Sequence, residues 1–250
     1  MKSLIITVAG MSSRFNKDTK EDVLKCLYFE DTPAHSMISI QVHKVYSLVD
    51  EIIVVGGYKY EDLEKFIREE MKDVNHKMKL EYNDHYYDYG SGYSLLKGVE
   101  AVSQKSNEIT FIEGDLFFDT ESVEKIINSK TDVISVNSEP IFSNKAVALY
   151  FDANNYPHYI YDTSHSCLEI HEPFIAIFNS GQMWKFMNPS RIREICQSLT
   201  PEQEQGTNLE IIQKYFGAYK SSQIDIVRIN LWYNCNTVAD YRKAITALGV

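Results

Sequence analysis

The sequence is poor in cysteine and in long apolar runs. Its four cysteines, Cys26, Cys167, Cys196 and Cys235, lie far apart in 250 residues, without the spacing of a zinc site or a disulfide framework, so we expect reduced thiols. No apolar run approaches the roughly 20 residues that a membrane-spanning helix needs, and Lys2 leads into a strand pattern without the small-residue exit of a cleavable signal. These absences predict a cytoplasmic protein.

Positive charge is also scarce. Lysine and arginine number 25 against 35 aspartates and glutamates, and a net charge of -10 argues against broad, non-specific binding to nucleic acid. A local basic pocket could still hold a small anion. With 44% hydrophobic residues the chain can bury a sizeable core. No repeat or linker interrupts it, so we predict one domain over residues 1–250, which leaves a homo-oligomer open.

The common glycine signatures of nucleotide-binding folds are missing. The sequence has neither the three spaced glycines of a dinucleotide-binding fingerprint nor the G-x-x-x-x-G-K-[ST] of a P-loop, so neither a Rossmann dehydrogenase nor a P-loop NTPase is supported. It also lacks a G-x-S-x-G element and a convincing Ser/His/Asp or Cys/His arrangement. Hydrolysis through a covalent intermediate therefore has no support.

Strand-like and helix-like segments alternate through the first half of the chain. The apolar runs that read as strands are Leu4–Val8, Ile52–Val55, Met78–Tyr82 and Ile109–Ile112. Segments of helical length lie between them, near His35–Leu48, Tyr60–Met71 and Ser91–Val102. This alternation predicts an α/β fold with a mixed, mostly parallel sheet and helices on both faces.

After a strand at Asp132–Val136 the pattern changes. Three stretches rich in tyrosine, isoleucine and phenylalanine predict further, partly antiparallel β-structure at Lys145–Phe151, Tyr156–Asp162 and Cys167–Phe178. The remaining elements are predicted as helices at Asn179–Leu199, with a break near Pro189, and at Asn208–Phe216, then a strand at Ile224–Leu231 and a helix at Val238–Leu248.

The loop after the first strand is a candidate phosphate-binding site. It consists of the small residues Ala9, Gly10, Met11, Ser12 and Ser13. In an open α/β sheet, ligands bind beyond the carboxyl ends of the strands, where such a loop lets backbone N–H groups approach phosphate oxygens. Arg14 and Lys25 add two cations. The loop alone is equally consistent with a turn at Gly10 and two solvated charges.

Three other segments fall at expected strand ends. Asp115 follows a buried strand, where its carboxylate could bind Mg²⁺, or simply make a turn with Gly114. The tripeptide Gly90, Ser91 and Gly92 opens a helix and suits close contact with a base, ribose or phosphate; alternatively, Ser91 or Ser94 caps that helix. Asn236 lies between the last strand and the last helix, either as an N-cap or as a second oxygen ligand beside Asp115.

The ordered set of these motifs resembles a known family. The segments "TVAGMSSRF" with the later Lys25, "VVGGYKYEDL", "YNDHYYDYGSGYSL", "FIEGDLFFD" and "NCNTVADYRKA" are similar to the nucleotidyltransferases that activate sugar phosphates and phosphocholine, above all bacterial CTP:phosphocholine cytidylyltransferases. The resemblance covers most of residues 1–120 and about the last 15. It implies a Rossmann-like fold of the glycosyltransferase-A type, a nucleoside triphosphate (CTP favoured) and Mg²⁺.

The resemblance also implies roles by position. The loop from Ala9 to Arg14 would hold the triphosphate and Lys25 would neutralise it. Gly90, Ser91 and Gly92 would lie near the base or ribose, and Asp115 would hold the metal together with Asn236.

Three features depart from the family pattern. Gly10 is the only glycine of the opening loop, Leu24 stands where the family has proline, and Asn236 stands where it often has aspartate. A non-catalytic nucleotide-binding sensor or scaffold is therefore an alternative. Among enzymes, the alternative is a sugar-1-phosphate nucleotidyltransferase.

The implied reaction needs no general base. A phosphate or phosphonate acceptor is already largely anionic near neutral pH, because the second pKa of a phosphate monoester is about 6. Selection of the acceptor is assigned to the β-rich region 137–178, the part least like the family. Its candidate residues are Lys145, Tyr159, Tyr161, His165, His171 and Glu172, among which aromatic rings could surround a choline-like cation or simply face solvent.

Overall fold

The computed structural model describes residues 1–142, 147–160 and 168–249. Its strands are β1 (Lys2–Thr7), β2 (Glu51–Gly56), β3 (Met78–Tyr82), β4 (Glu108–Glu113), β5 (Leu116–Phe118), β6 (Val133–Asn137), β7 (Ala148–Asp152), β8 (Pro157–Ile160), β9 (Phe174–Phe186), β10 (Asp225–Arg228) and β11 (Trp232–Asn234). Its helices are α1 (Ser13–Thr19), α2 (Met37–Val45), α3 (Tyr60–Glu70), α4 (Ser91–Ala101), α5 (Thr120–Asn128), α6 (Pro189–Gln197), α7 (Pro201–Glu204), α8 (Asn208–Phe216) and α9 (Val238–Leu248).

Nine of these strands form one twisted sheet. Seven follow the order β10-β6-β9-β4-β1-β2-β3, while β7 pairs with β9, and β8 with β7. Along this path β1 is parallel to β2 and β4, and β6 is parallel to β10. Strand β9 runs antiparallel between β4 and β6. The predicted mixed, mostly parallel sheet is confirmed, and so is antiparallel pairing in the β-rich region.

Helices cover both faces of the sheet because β1 is apolar on both sides. Leu4 and Ile6 join a core beneath α2, α3, α5 and α9, whereas Ile5 joins a second core with α4, α6 and α8. All three side chains are fully buried. A strand buried on both faces reads as a continuous apolar run, as this one does.

The predicted helix at Asn179–Leu199 is wrong in its first half. Strand β9 continues to Phe186, and α6 begins only at Pro189, where the side chain of Asn188 accepts a hydrogen bond from the N–H of Arg191. Met183 lies in the core on one face of the sheet and Trp184 and Phe186 lie in the core on the other, so this part of β9 shows no alternation of buried and exposed residues. Periodicity cannot distinguish such a strand from a buried helix.

Some predicted features lie outside the described residues. These are Lys145, Tyr161, His165 and Cys167. The other three cysteines are free and buried, as expected for reduced thiols. Within the described ranges, no helix is long and apolar enough to cross a membrane.

Candidate active site

A cleft of about 210 Å³ opens at the carboxyl ends of β1 and β4. The two strand ends are joined because the N–H of Gly114 donates to the carbonyl of Thr7 at 3.0 Å. From below, Gln41 of α2 donates to the carbonyl of Leu116 at 2.7 Å and to that of Glu113 at 3.3 Å. The turn that carries Asp115 is therefore held firmly at the floor of the cleft.

The opening loop contributes only part of its predicted set to the cleft. Ala9 and Gly10 line it. Ser12, at φ 56° in the left-handed region, precedes α1, and its hydroxyl accepts the N–H of Lys25 at 3.0 Å. Met11, Ser13 and Arg14 are exposed and do not line the cleft. The loop thus positions Lys25 while directing the Arg14 backbone into the first turn of α1.

Lys25 and Asp115 form an ion pair in the cleft. Nζ of Lys25 donates to Oδ2 of Asp115 at 2.9 Å and to the carbonyl of Cys235 at 3.2 Å. The two charged side chains are about one-fifth exposed, at 20% and 22%. The other oxygen of Asp115, Oδ1, is buried and has no hydrogen-bond partner among the described residues. A buried carboxylate oxygen without a partner is costly, so this atom is suited to bind a ligand that enters the cleft.

Asn236 reaches this edge by a route different from the one predicted. It follows β11, which pairs antiparallel with β5 in a separate two-stranded sheet, rather than a strand of the main sheet. The N–H of Cys235 donates to the carbonyl of Asp115 at 2.7 Å, so the two segments are adjacent. The Asn236 side chain donates to Asn234 and does not line the cleft. The N-cap of α9 is Thr237, so the alternative role of Asn236 as N-cap is wrong.

The Gly-Ser-Gly tripeptide packs against the backbone before α8. The N–H groups of Gly90 and Gly92 donate to the carbonyls of Gln205 and Gly206 at 2.9 and 3.1 Å. A Cβ at Gly90 would clash with the Gly206 carbonyl, and one at Gly92 would lie 2.9 Å from it. These glycines are required by close backbone approach.

The two ends of the tripeptide differ in their access to the cleft. Gly90 and Ser91 line it, whereas Gly92 is buried behind them and is not among its lining residues. The alternative that Ser91 or Ser94 caps α4 is wrong, because the N-cap is Gly90 and no side chain caps it. Ser94 instead accepts a hydrogen bond from Asn83 at 2.8 Å.

Tyrosines and Asn83 form the wall beside this tripeptide. Tyr86 and Tyr89 line the cleft. The Tyr89 ring stacks on the His85 ring, with 4.1 Å between the ring centroids. Asn83 is buried, and its Oδ1 accepts the N–H of His85 at 2.8 Å. Planar rings and an anchored amide suit a flat, polar ligand such as a nucleobase. The segment "YNDHYYDYGSGYSL" indicated this wall, but sequence reasoning assigned only its glycines and serine.

Glu113 is a cleft residue that sequence reasoning missed. Its Oε1 accepts from Asn208 at 2.7 Å and its Oε2 from Gln182 at 2.9 Å. Burial away from water, and next the negative charge of Asp115, raise the pKa of Glu113 to about 8. The hydrogen bond from Asn208 and the positive charge of Lys25 act to lower this pKa. Its position two residues before Asp115 was an available signal. Nothing in the sequence pointed to Asn208 or Gln182.

The residues predicted to select the acceptor lie elsewhere. Tyr159, His171 and Glu172 border a second cavity of about 370 Å³ beside α8 and do not line the first cleft. The hydroxyl of Tyr159 accepts from the Trp184 indole at 2.6 Å, and Glu172 accepts from the Tyr150 hydroxyl at 2.7 Å. Both side chains therefore have partners within the protein.

The chain is similar to known proteins in sequence and in structure. A family model described as a domain of unknown function, DUF6564, matches residues 21–248. No curated protein matches the sequence. Similar solved structures include the inositol-1-phosphate CTP transferase from T. maritima, at 16% identity and a TM-score of 0.71 over 98% of this chain and 95% of that one.

Two further structures are similar over nearly their whole length. A protein of Bacillus anthracis assigned as a glucose-1-phosphate thymidylyltransferase has a TM-score of 0.72 at 16% identity, over 99% of this chain and 95% of that one. The CTP:phosphocholine cytidylyltransferase from Streptococcus pneumoniae has a TM-score of 0.64 at 16% identity, over 99% of both chains. The expected nucleotidyltransferase fold is confirmed.

Proposed function

The chain belongs to the DUF6564 family and has a nucleotidyltransferase fold, and we propose that it is a Mg²⁺-dependent nucleotidyltransferase. It transfers NMP from an NTP, with CTP favoured, to a small phosphorylated or phosphonate acceptor and releases pyrophosphate. The observation that carries this proposal is the Lys25–Asp115 pair at the floor of the cleft, in which one Asp115 oxygen has no partner in the part of the chain that the structure describes.

Lys25 is the cation best placed for the triphosphate. It lines the cleft with Gly10, and its backbone is held by Ser12. An ammonium group at this point stabilises the charge that develops on the α-phosphate and the departing pyrophosphate, which is the main task in phosphoryl-type transfer. Arg14, exposed on α1, has a smaller part in this proposal.

The residues present fit a magnesium ion that arrives with the nucleotide. In residues 1–142, 147–160 and 168–249, no group of three or more His, Cys, Asp or Glu side chains could hold a metal ion. Mg²⁺ commonly uses one or two protein carboxylates and completes its shell with water and phosphate oxygens. Asp115 Oδ1 is a free ligand of this kind, and Asn236 is proposed as the second. A metal held there would supply positive charge at the phosphates.

The transfer is a substitution at the α-phosphorus. An anionic oxygen of the acceptor forms the new P–O bond, the bond between the α-phosphorus and the bridging oxygen to the β-phosphate breaks, and pyrophosphate leaves with that electron pair. No proton has to be removed from an acceptor that is already ionised. The protein's contribution is therefore to align two anions and to stabilise charge.

The preference for CTP rests on the sequence resemblance. Its support is that two of the similar structures are named as a CTP transferase and a cytidylyltransferase. A sugar-1-phosphate acceptor is the second candidate, supported by the similar structures named for inositol-1-phosphate and glucose-1-phosphate. Region 137–178 is proposed to contribute to acceptor selection.

Pyrophosphate release tests the proposal. Purified protein is incubated with Mg²⁺ and each of CTP, UTP, ATP and GTP against a panel of phosphocholine, phosphonates and sugar 1-phosphates. We expect release with one nucleotide and one acceptor class, abolished by EDTA. Nucleotide binding by calorimetry without release under any acceptor would instead identify a sensor, and absence of both would reject the site.

A further inference from the structure

A continuous chain of side-chain hydrogen bonds crosses the end of the sheet. The amide of Asn236 donates to Asn234, Asn234 donates to Gln182 Oε1 at 3.1 Å, and Gln182 donates to Glu113 at 2.9 Å. Asn208 completes the chain from the opposite side of Glu113. These residues come from four separated parts of the sequence, and the chain ends on a carboxyl group that lines the cleft.

Gln182, in the middle of this chain, has a strained backbone. Its φ is 57°, in the left-handed region that residues other than glycine rarely adopt. Here Ile134 pairs with Trp184 and Val136 with Ser180, so β9 advances four residues while β6 advances two. Such a bulge re-aims a side chain, and bulges of this kind concentrate beside active sites. Strain at one residue persists only where the surroundings require that conformation.

The orientation of the Gln182 amide follows from its two neighbours. Asn234 presents an N–H to one end of it, so that end is the oxygen, and the nitrogen must face Glu113. Gln182 and Asn208 together occupy one acceptor position on each Glu113 oxygen. A carboxylate has about four such positions, so those that remain can accept hydrogen bonds from a molecule in the cleft.

The carboxyl groups of Asp115 and Glu113 thus differ in their hydrogen-bond partners. Asp115 has a buried oxygen without a partner, which suits a metal ion, whereas both Glu113 oxygens are already fixed by neutral amides. A carboxyl group fixed in this way presents a defined acceptor to a ligand and gains little by rotating towards a metal.

We propose that Glu113 binds the acceptor molecule through a hydroxyl or ammonium hydrogen of that molecule, and that Gln182 is the positioning residue that holds Glu113 for this contact. The inference rests on the proposed function. It assigns the acceptor class as a phosphate or phosphonate that also carries a hydrogen-bond donor, and it predicts poorer turnover of a counterpart whose remainder has no such group, such as a trimethylammonium compound.

A set of variants separates substrate contact from structural support. Gln182→Glu keeps the size of the side chain but replaces the donor with an oxygen facing Glu113. The double variant Glu113→Gln with Gln182→Glu restores every bond of the chain, because the amide introduced at position 113 donates to the carboxylate introduced at position 182. Turnover, KM for acceptor, KM for nucleotide and the thermal midpoint are measured for the wild type and both variants.

We expect Gln182→Glu to lower the thermal midpoint and to raise the acceptor KM about tenfold or more, with little change in nucleotide KM, since one well-placed hydrogen bond is worth roughly that factor. The double variant should recover the thermal midpoint but not the acceptor KM. Recovery of both would show that the chain is only structural and would overturn the proposal.

Backbone strain is measured by a second pair of variants. Gln182→Gly and Gln182→Ala both lose the hydrogen bonds, but only glycine relieves the strain, so it should unfold about 2–4 °C higher than alanine. Lys20, also left-handed at φ 57° but outside the cleft, is the control: Lys20→Gly and Lys20→Ala should show the same difference with unchanged kinetics. Equal midpoints at position 182 would contradict the strain.

The proposed function and this inference fail in different ways. If the wild-type protein shows no turnover but binds an acceptor by calorimetry in the presence of nucleotide, the transferase proposal fails and the acceptor Kd replaces KM in the same comparison. If phosphocholine is turned over as well as its dimethylamine and primary amine counterparts, the donor requirement is overturned while transferase activity stands.

Discussion

Lys25 and Asp115, which are 90 positions apart in the sequence, form a 2.9 Å ion pair that leaves one Asp115 oxygen buried and without a partner in the described ranges. Each member of the pair therefore has a second potential partner in the cleft. In the proposed function this partner is the nucleotide polyphosphate for Lys25 and a cation for Asp115. The predictions below follow from this double arrangement and from the packing around it.

Replacing Lys25 should impair turnover far more than folding. We expect Lys25→Ala to reduce kcat/KM about 10²–10³-fold, because removing one charge-stabilising donor from an active site typically costs roughly 3–4 kcal/mol. Lys17→Ala, an exposed lysine on α1, is the matched control and should leave the kinetics unchanged. Arg14→Ala should have a smaller effect than Lys25→Ala. Near-normal kinetics in Lys25→Ala would return this lysine to a purely structural role.

Asp115 and Asn236 should differ in their importance for metal-dependent binding. Asp115→Asn removes the anionic ligand and should nearly abolish turnover and Mg²⁺-dependent nucleotide binding. Asn236→Ala should do less, and Asn236→Asp should be tolerated. Isothermal titration with nucleotide, at several Mg²⁺ concentrations, measures both effects. An active Asp115→Asn enzyme would refute the metal site.

Gly10 and Gly90 are both in the cleft wall but should respond differently to alanine. A Cβ at Gly10 meets nothing within 4 Å, so Gly10→Ala should keep the thermal midpoint and weaken nucleotide binding about tenfold by blocking close approach of phosphate. A Cβ at Gly90 clashes with the Gly206 carbonyl, so Gly90→Ala should lower stability by about 1–3 kcal/mol or more. Equal thermal midpoints for the two variants would contradict this.

Asp119 should contribute stability that depends on pH. It caps α5, and its oxygens accept the N–H groups of Ser122 and Leu231 at 2.8 and 2.9 Å. Burial alone would raise the pKa of Asp119, but hydrogen bonds from Leu231 and Ser122 hold it below its usual value. Because the folded pKa is the lower one, the stabilisation is present above the unfolded value of about 4 and is lost as the pH falls through the folded value.

The variant Asp119→Ala tests this contribution. It should lower the free energy of unfolding by about 1–3 kcal/mol at pH 7, with turnover unchanged at a temperature where both proteins are folded. The difference from the wild-type protein, measured by urea unfolding, should shrink below pH 4. A difference that is constant from pH 3 to pH 7 would show that the Asp119 charge has no part in it.

Local patterns in the sequence were sufficient where an element has one clear periodicity or cap. Strand β3 and helices α8 and α9 begin and end at the predicted residues. The continuous apolar run of β1 also identified a strand with helices on both sides. The second half of β9 was not predictable in this way, because Met183 and Trp184 are buried in the two cores on opposite faces of the sheet.

The site could be predicted only where a residue lies beside a recognisable strand end. Asp115 was found because it follows a buried strand, and Lys25 because it belongs to the opening motif, but their ion pair was not predicted. Glu113 is held by Gln182 and Asn208, whose positions depend on a bulge and on the start of a helix far along the chain. Such a relationship depends on tertiary structure and leaves no periodic trace.

The ribbon of β5 and β11 has a consequence for synthesis on the ribosome. Lys25 donates to the carbonyl of Cys235, 210 positions later, and Cys235 in turn donates to the carbonyl of Asp115. At a translation rate of about 5–20 residues per second, roughly 10–40 s separate the synthesis of Lys25 from that of Cys235. During that interval β1, β2 and β4 can already pair, yet the floor of the cleft lacks the segment that fixes both charged groups. Nascent chains interrupted before Cys235 should therefore fold in part without the ability to capture nucleotide.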